Sequence, residues 1–179
     1  SVSRARPGYE ASRSLARYRS HTSQRLRRRL FESSAAMDLQ DDATIFGISL
    51  ALLAVAYAIG RVVGPKVTKC ETDEQRRKQR AWILTLISSV VCGAHGVFFL
   101  GRVIKYGFGH EFSRGETVAD RRVALFFLAY CIADLATGAL DYIDEIDYQS
   151  GWAHHSFYGI GLCVLLYRKH THFFMAGLI

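Results

Sequence analysis

From residue 43 onward the chain alternates long apolar windows with short charged blocks. Uncharged stretches cover 43–60, 81–101, 123–140 (interrupted by Asp134 alone) and 148–167, and another opens at 171 and stops at Ile179. A helix needs about 20 residues to cross roughly 30 Å of hydrocarbon, with a range near 17–25. Four windows fit, and the fifth is cut short. Core helices of soluble proteins are apolar too, but they are usually shorter. The pattern predicts an all-α, polytopic transmembrane helical bundle. Its spans lie at about 43–63, 81–104, 123–140 and 152–167, with an incomplete one at 173–179; residues 1–42 form a tail.

Within the spans, helical periodicity assigns faces. Span one is rich in Ala and Gly and ends in a Gly60–Gly64 pair. Small residues at that spacing let helix backbones approach closely, within the chain or in a homo- or hetero-oligomer. Gly64-Pro65 is expected to close this helix, and the mixed-charge segment 65–80 to extend the second helix outward. In span two Trp82 marks an interfacial belt, and Ser88, Cys92, His95, Gly96 and Phe99 form one inward stripe. In span three Tyr130, Asp134, Thr137 and Asp141 share a face. The Tyr130 and Thr137 hydroxyls are placed to hydrogen-bond the Asp134 carboxylate. In span four His154 and His155 diverge by about 100°, and Tyr158 follows both within a turn.

Composition refines this picture. Half the residues are hydrophobic and 22% are charged, and the charges sit in blocks. A net charge of +7 would suit nucleic acid. The excess, however, lies in the tail and the juxtamembrane loops, where topology and anionic lipid account for it. Membrane lipids, not nucleic acid, are the expected partners. The tail carries nine arginines among Ser, Ala and Gln. That composition suits a solvated cytosolic tail, or an organellar transit peptide. The first residue is Ser, so the start is read as processed or as a fragment. Cys70, Cys92, Cys131 and Cys163 share no short ligand spacing, which argues against a disulfide framework or a zinc knuckle.

Asp134 is the costly residue. A charge at mid-span disfavours insertion by roughly 2.5–3.5 kcal/mol, and it marks either a polar interior with a function or a helix–helix hydrogen bond. His95 is either a packed, hydrogen-bonded imidazole or part of a functional cavity. His95, His154, His155, His170 and Asp134 have the chemistry for zinc or iron. Adjacent histidines rarely share one ion, and no H-x-x-x-H is present, so neither a metal nor a bound cofactor is expected.

Trp82…Ser88-Ser89…His95, then Tyr130…Asp134, then Gly151-Trp152-Ala153-His154-His155 with Tyr158 following, resembles the TLC domain family of TRAM, LAG and CLN proteins. The resemblance covers about residues 44–179, and GW-x-HH after an aspartate-bearing span is its specific part. It implies a bundle of at least five to seven helices, residence in the endoplasmic reticulum or a related membrane, and work on lipids. In ceramide synthases of this family the paired histidines act in acyl transfer from acyl-coenzyme A to a sphingoid amine; carried over, these are His154 and His155. HHSFYGIGL lacks the Thr that the synthases tend to carry soon after the pair, and is closer to the small TLC-domain membrane proteins. The acidic residues that accompany the pair in the synthases would lie beyond Ile179.

Together these readings name His154, His155 and Asp134 as candidate catalytic residues, and His95, Tyr130, Trp152 and Tyr158 as candidate substrate-binding residues. An imidazole titrating near neutrality can take a proton from an attacking amine or hydroxyl, with Asp134 orienting it. The expected function is lipid metabolism or membrane lipid homeostasis, with an acyl chain or sphingoid-type lipid bound. The alternative is an N-acyltransferase with acyl-coenzyme A as substrate. Either needs a polar pocket where spans three and four meet, opening to an apolar channel for one acyl chain. Depth is the obstacle. Asp134 lies about 10 Å before the end of its span at 1.5 Å per residue, while the histidines begin theirs. They meet only if segment 142–151 is partly helical or dips into the bundle.

Lys/Arg counts set the orientation. The tail, 102–122 and 168–172 carry 16, against 7 for 61–80 and the acidic loop 141–151. The positive-inside rule then puts the N-terminus in the cytosol. Glycosylation acceptors inserted separately should be modified in 141–151 and not in the tail; the reverse pattern overturns this topology.

Overall fold

The computed structural model describes residues 40–177; the Arg-rich tail and the last two residues of the fifth window lie outside the described residues. Among the described residues there are only helices and turns. α1 spans Gln40–Val67, α2 Asp73–Tyr106, α3 Phe108–Arg114, α4 Val118–Asp141, α5 His154–Arg168 and α6 His172–Ala176. A 3₁₀ turn at Ile143–Glu145 and a π turn at Tyr148–Ala153 join α4 to α5.

Local chemistry sets the ends. Thr72 and Gln75 form a capping box at the start of α2, with Asp73 and Glu74 in its first turn; both features satisfy the free N–H groups and positive pole of a helix start. The charged stretch after residue 72 therefore does extend the second helix outward. Thr117 and Asp120 cap α4 in the same way. Gly107 and Gly115 stop α2 and α3 at φ 86° and 82°, a region open to glycine at little cost. Gly64-Pro65 does not close α1, which runs on to Val67. Proline removes only its own N–H, and its carbonyl still accepts from Cys70 N at 3.0 Å.

α1, α2 and α4 are long and apolar enough to cross a membrane. Only 17%, 28% and 39% of their most apolar windows are buried. The rest, including Leu52, Ile59, Leu86, Val90, Val97 and Leu140, faces outward. Apolar surface on that scale belongs against lipid rather than water, and the chain is a membrane protein. The fourth window is helical but divided. Its first residues enter the π turn, leaving α5 with 15 residues, about 22 Å at 1.5 Å each and less than a bilayer core. Within the fifth window, α6 has 5 residues.

Polar contacts fix the helix directions. At one end Arg121, early in α4, donates from Nε to Asp42 Oδ1 of α1 at 2.8 Å and from Nη1 to Leu166 O, late in α5, at 3.1 Å. At the other end Tyr57 of α1 donates to Asp141 Oδ2 at 2.6 Å, and Arg80 of α2 approaches the same oxygen at 3.1 Å. α1 and α4 thus run together while α2 and α5 run against them. Between these ends lie two apolar clusters. Phe99, Leu125, Leu162 and Met175 fill one; Leu53, Tyr57, Leu84 and Tyr142 fill the other. The Gly60–Gly64 face of α1 is turned to Ile83 and Gln79 of α2 within the same chain.

The α4–α5 connection is wedged into the bundle by Ile146. A Cβ added at Gly138 of α4, or at Gly151 of the π turn, would run into the Ile146 side chain. Gly138→Val should expel Ile146 and lower stability by about 1–3 kcal/mol, the usual cost of overpacking. Gly93→Val, with open space at its Cβ, should not. Thermal unfolding of both variants in detergent checks the difference; equal midpoints would refute the wedge.

Candidate functional site

The Asp134 side chain sits inside the bundle, in a residue 6% exposed. Tyr142 donates to its Oδ1 at 2.8 Å. The hydroxyls expected to bond the carboxylate do not. Thr137 donates to Ala133 O at 2.8 Å and pairs with the Tyr142 hydroxyl at 2.9 Å. Tyr130 reaches across to Thr85 of α2 at 3.2 Å. The Thr137 and Tyr130 hydroxyls are engaged elsewhere, and the carboxylate is reached by a residue folding back from beyond the helix end. Tyr142 does this. It lies past the last residue of α4, and burial, reinforced by the charge of Asp134, pushes its hydroxyl above the ordinary phenol range. It therefore remains a donor.

The second partner of Asp134 is His155. Its Nδ1 lies 3.1 Å from Asp134 Oδ2, at ion-pair distance though not aligned as a hydrogen bond. The facing carboxylate favours the proton on Nδ1 and leaves Nε2 toward the Tyr130 hydroxyl, 3.4 Å away. The depth obstacle is met by the connection. Trp152 N bonds to Asp147 O at 3.3 Å, five residues back, so the chain enters α5 through a wide turn, with Tyr148 and Gln149 left exposed and His155 carried onto the buried side. π turns of this kind recur at functional sites. The outcome is a buried chain of carboxylate, imidazole, phenol and hydroxyl: Asp134, His155, Tyr130, Thr85.

This chain borders a cavity of about 340 Å³, lined by Trp82, Thr85, Tyr130, Asp134, Tyr142, Glu145, Asp147, His154 and His155 among others. The volume is at the small end of ligand pockets. The remaining candidates divide. His154 lines the cavity but is exposed, its ring 4.6 Å from that of Tyr158. Tyr158 does not line this cavity; it lines a separate apolar groove between α5 and α6. Trp152 is half-buried in the π turn and is not part of the lining, whereas Trp82 is.

His95 belongs to another cluster. Its Nε2 lies 2.9 Å from Asp120 Oδ1, to which Arg102 donates at 3.1 Å. Arg102 Nε is also 3.1 Å from Glu111 Oε2 of α3. His95 is thus the packed, paired imidazole, tying α2 to α4 while Arg102 holds α3. Among the described residues no group of three or more His, Cys, Asp or Glu is arranged to hold a metal ion.

Sequence reasoning missed Tyr142, Thr85, Glu145 and Asp147. For Tyr142 a signal existed: an aromatic hydroxyl immediately after a span that carries an unpaired acid.

The fold and site define an all-helical membrane protein with one carboxylate–imidazole pair buried beside a polar cavity. No family model, curated protein or solved structure matches the chain.

If Asp134 and His155 act as a unit, Asp134→Asn and His155→Gln should be non-additive. Contacting residues show coupling of about 0.5–3 kcal/mol. A double-mutant cycle on thermal unfolding in detergent reads this, and strict additivity would break the pair.

Proposed function

We propose that this chain is a multi-pass membrane protein of the TLC type that binds a membrane lipid at the Asp134–His155 cavity and serves lipid metabolism or membrane lipid homeostasis. The observation that carries this reading is the buried chain from Asp134 through His155 to Tyr130, set against a cavity of about 340 Å³. Polar groups at membrane depth are costly and mark sites of function by default. A cavity among lipid-exposed helices is filled most readily by the head of a lipid. The GW-x-HH sequence entering α5 supports the TLC assignment, and with it residence in the endoplasmic reticulum.

Orientation bears on the chemistry. The Lys/Arg count of the sequence favours a cytosolic N-terminus, and the helix directions put the acidic connection at the end opposite the start of α1, beside the segment 61–80 with its seven Lys and Arg. The cavity then opens toward the lumen, through the residues around Glu145 and Asp147.

A second reading, N-acyl transfer, is favoured by the Asp134–His155 pair itself. A carboxylate that sets the tautomer of an imidazole is a general-base arrangement. Against it, His155 Nε2 faces Tyr130 rather than open space, and an acyl-coenzyme A donor in the cytosol would approach from the opposite end. Lipid binding is therefore the preferred reading.

The test is lipidomics of membranes from cells expressing the full chain, His155→Ala or Asp134→Ala, with acyl-coenzyme A turnover measured on the purified proteins. Lipid binding predicts a changed profile that both variants abolish, without turnover. Turnover by the wild type, lost in variants that still fold, would replace this reading with acyl transfer. An unchanged profile with no turnover, and no lipid retained on the purified protein, would remove both.

A further inference from the structure

Resting on the lipid-binding reading, we infer that the cavity selects a lipid whose head carries an ammonium group, with one acyl chain lying along the α5–α6 groove.

The lining decides the sign of charge. It holds three carboxylates, Asp134, Glu145 and Asp147, and no Lys or Arg. Asp134 is already engaged by Tyr142 and His155. Glu145 is met at a distance by Arg77, whose Nε is 3.9 Å away, and the Asp147 carboxylate accepts Gln149 N at 3.0 Å. Both belong to the acidic connection between α4 and α5. A head bearing only phosphate would bring like charge against them, whereas an ammonium is attracted. The rings of Trp82, Tyr130 and Tyr142 add faces suited to an alkylated cation. The nine-tenths-buried imidazole of His155 closes the inner wall.

The face of α5 continues the site. His154, Tyr158, Gly161 and Leu165 recur at helical spacing and form one stripe. The first lines the cavity; the other three line a groove of about 220 Å³, walled by Phe173 and Phe174 of α6. The rings of His154 and Tyr158, 4.6 Å apart and tilted at 52°, form the sill between the two. A head held at Glu145 and Asp147 therefore directs its chain over this sill into an apolar trough. Gly161 has nothing within 4 Å of an added Cβ, leaving the trough open at its middle.

The experiment is lipid titration of the purified full chain by native mass spectrometry. The lipids are ethanolamine- and choline-headed phospholipids, a long-chain primary amine, phosphatidylglycerol and diacylglycerol. The ammonium-bearing lipids should bind at least about tenfold tighter than phosphatidylglycerol, a difference of about 1.4 kcal/mol. The double variant Glu145→Gln, Asp147→Asn should erase that preference without weakening diacylglycerol. Gly161→Leu should weaken every long-chain lipid alike and leave the head preference intact. Should the double variant fail to fold, the wild-type ranking decides alone. Equal or tighter binding of phosphatidylglycerol or diacylglycerol, still dependent on His155, would overturn the head selectivity and leave lipid binding standing. An unaltered affinity in Gly161→Leu would overturn the groove assignment. No lipid bound at all would overturn both this inference and the reading beneath it.

Discussion

A carboxylate held mid-span in a membrane bundle is costly to bury, and donors from the protein offset that cost. Much of the structure around Asp134 supplies them. Neither neighbouring hydroxyl on its own helix bonds the carboxylate, so its two contacts come from chain that follows α4. Tyr142 turns back from beyond the helix end to one oxygen, and His155 arrives at the other from the start of α5. For both to reach it, the connection must be held against the bundle by its inward side chains, Tyr142 and Ile146, while Asp144, Tyr148 and Gln149 stay exposed. Gly138 and Gly151 leave the space in which Ile146 pins it there.

Charge elsewhere is kept to the ends. Asp42, Glu116 and the Leu166 carbonyl gather on Arg121 at one end of α4; Tyr57, Arg61 and Arg80 gather on Asp141 at the other. These nodes bind the helices at positions where polar groups cost little, and the middle is left to apolar packing. Since α4 takes part in both nodes and carries Asp134 between them, the depth of the carboxylate is set by the same helix that organises the bundle. Glu116 extends the first node by accepting from Thr171 Oγ1 at 2.7 Å, which seats α6 beside the groove.

Much of this was legible before any coordinates. The charge-free windows follow the helices, and of the inward stripe Ser88, Cys92, Gly96 and Phe99 are buried while His95 is half-buried. The cost of a mid-span acid was enough to turn Asp134 inward. What periodicity cannot convey is a change of period. The π turn holds more residues per turn than an α-helix, so the phase of α5 is not that of an uninterrupted helix from Trp152. Trp152 is left outside the cavity lining, and Tyr158 falls on the groove side. Periodicity also treats one helix at a time. Tyr142 and Thr85 act on the site from outside span three, and His95 finds Asp120 across the bundle, none of which a single-helix pattern encodes. Gly64-Pro65 shows the same limit for a local rule: proline's missing N–H is tolerable in a last turn whose carbonyls find other donors.

The two histidines show how far one residue of sequence separates two environments. Their side chains leave the helix about 100° apart, so contact with Asp134 can be given to only one of them. His155 takes it and is buried; His154 is left at the rim, its ring tilted against that of Tyr158. The pair is therefore not two copies of one function. The His155 imidazole is enclosed beside a fixed carboxylate. The His154 imidazole is exposed, beside whatever occupies the sill. Chemistry that needs two equivalent imidazoles facing one reacting atom does not fit this arrangement. A site in which one imidazole completes a rigid polar wall, while the other meets the ligand where head gives way to chain, does.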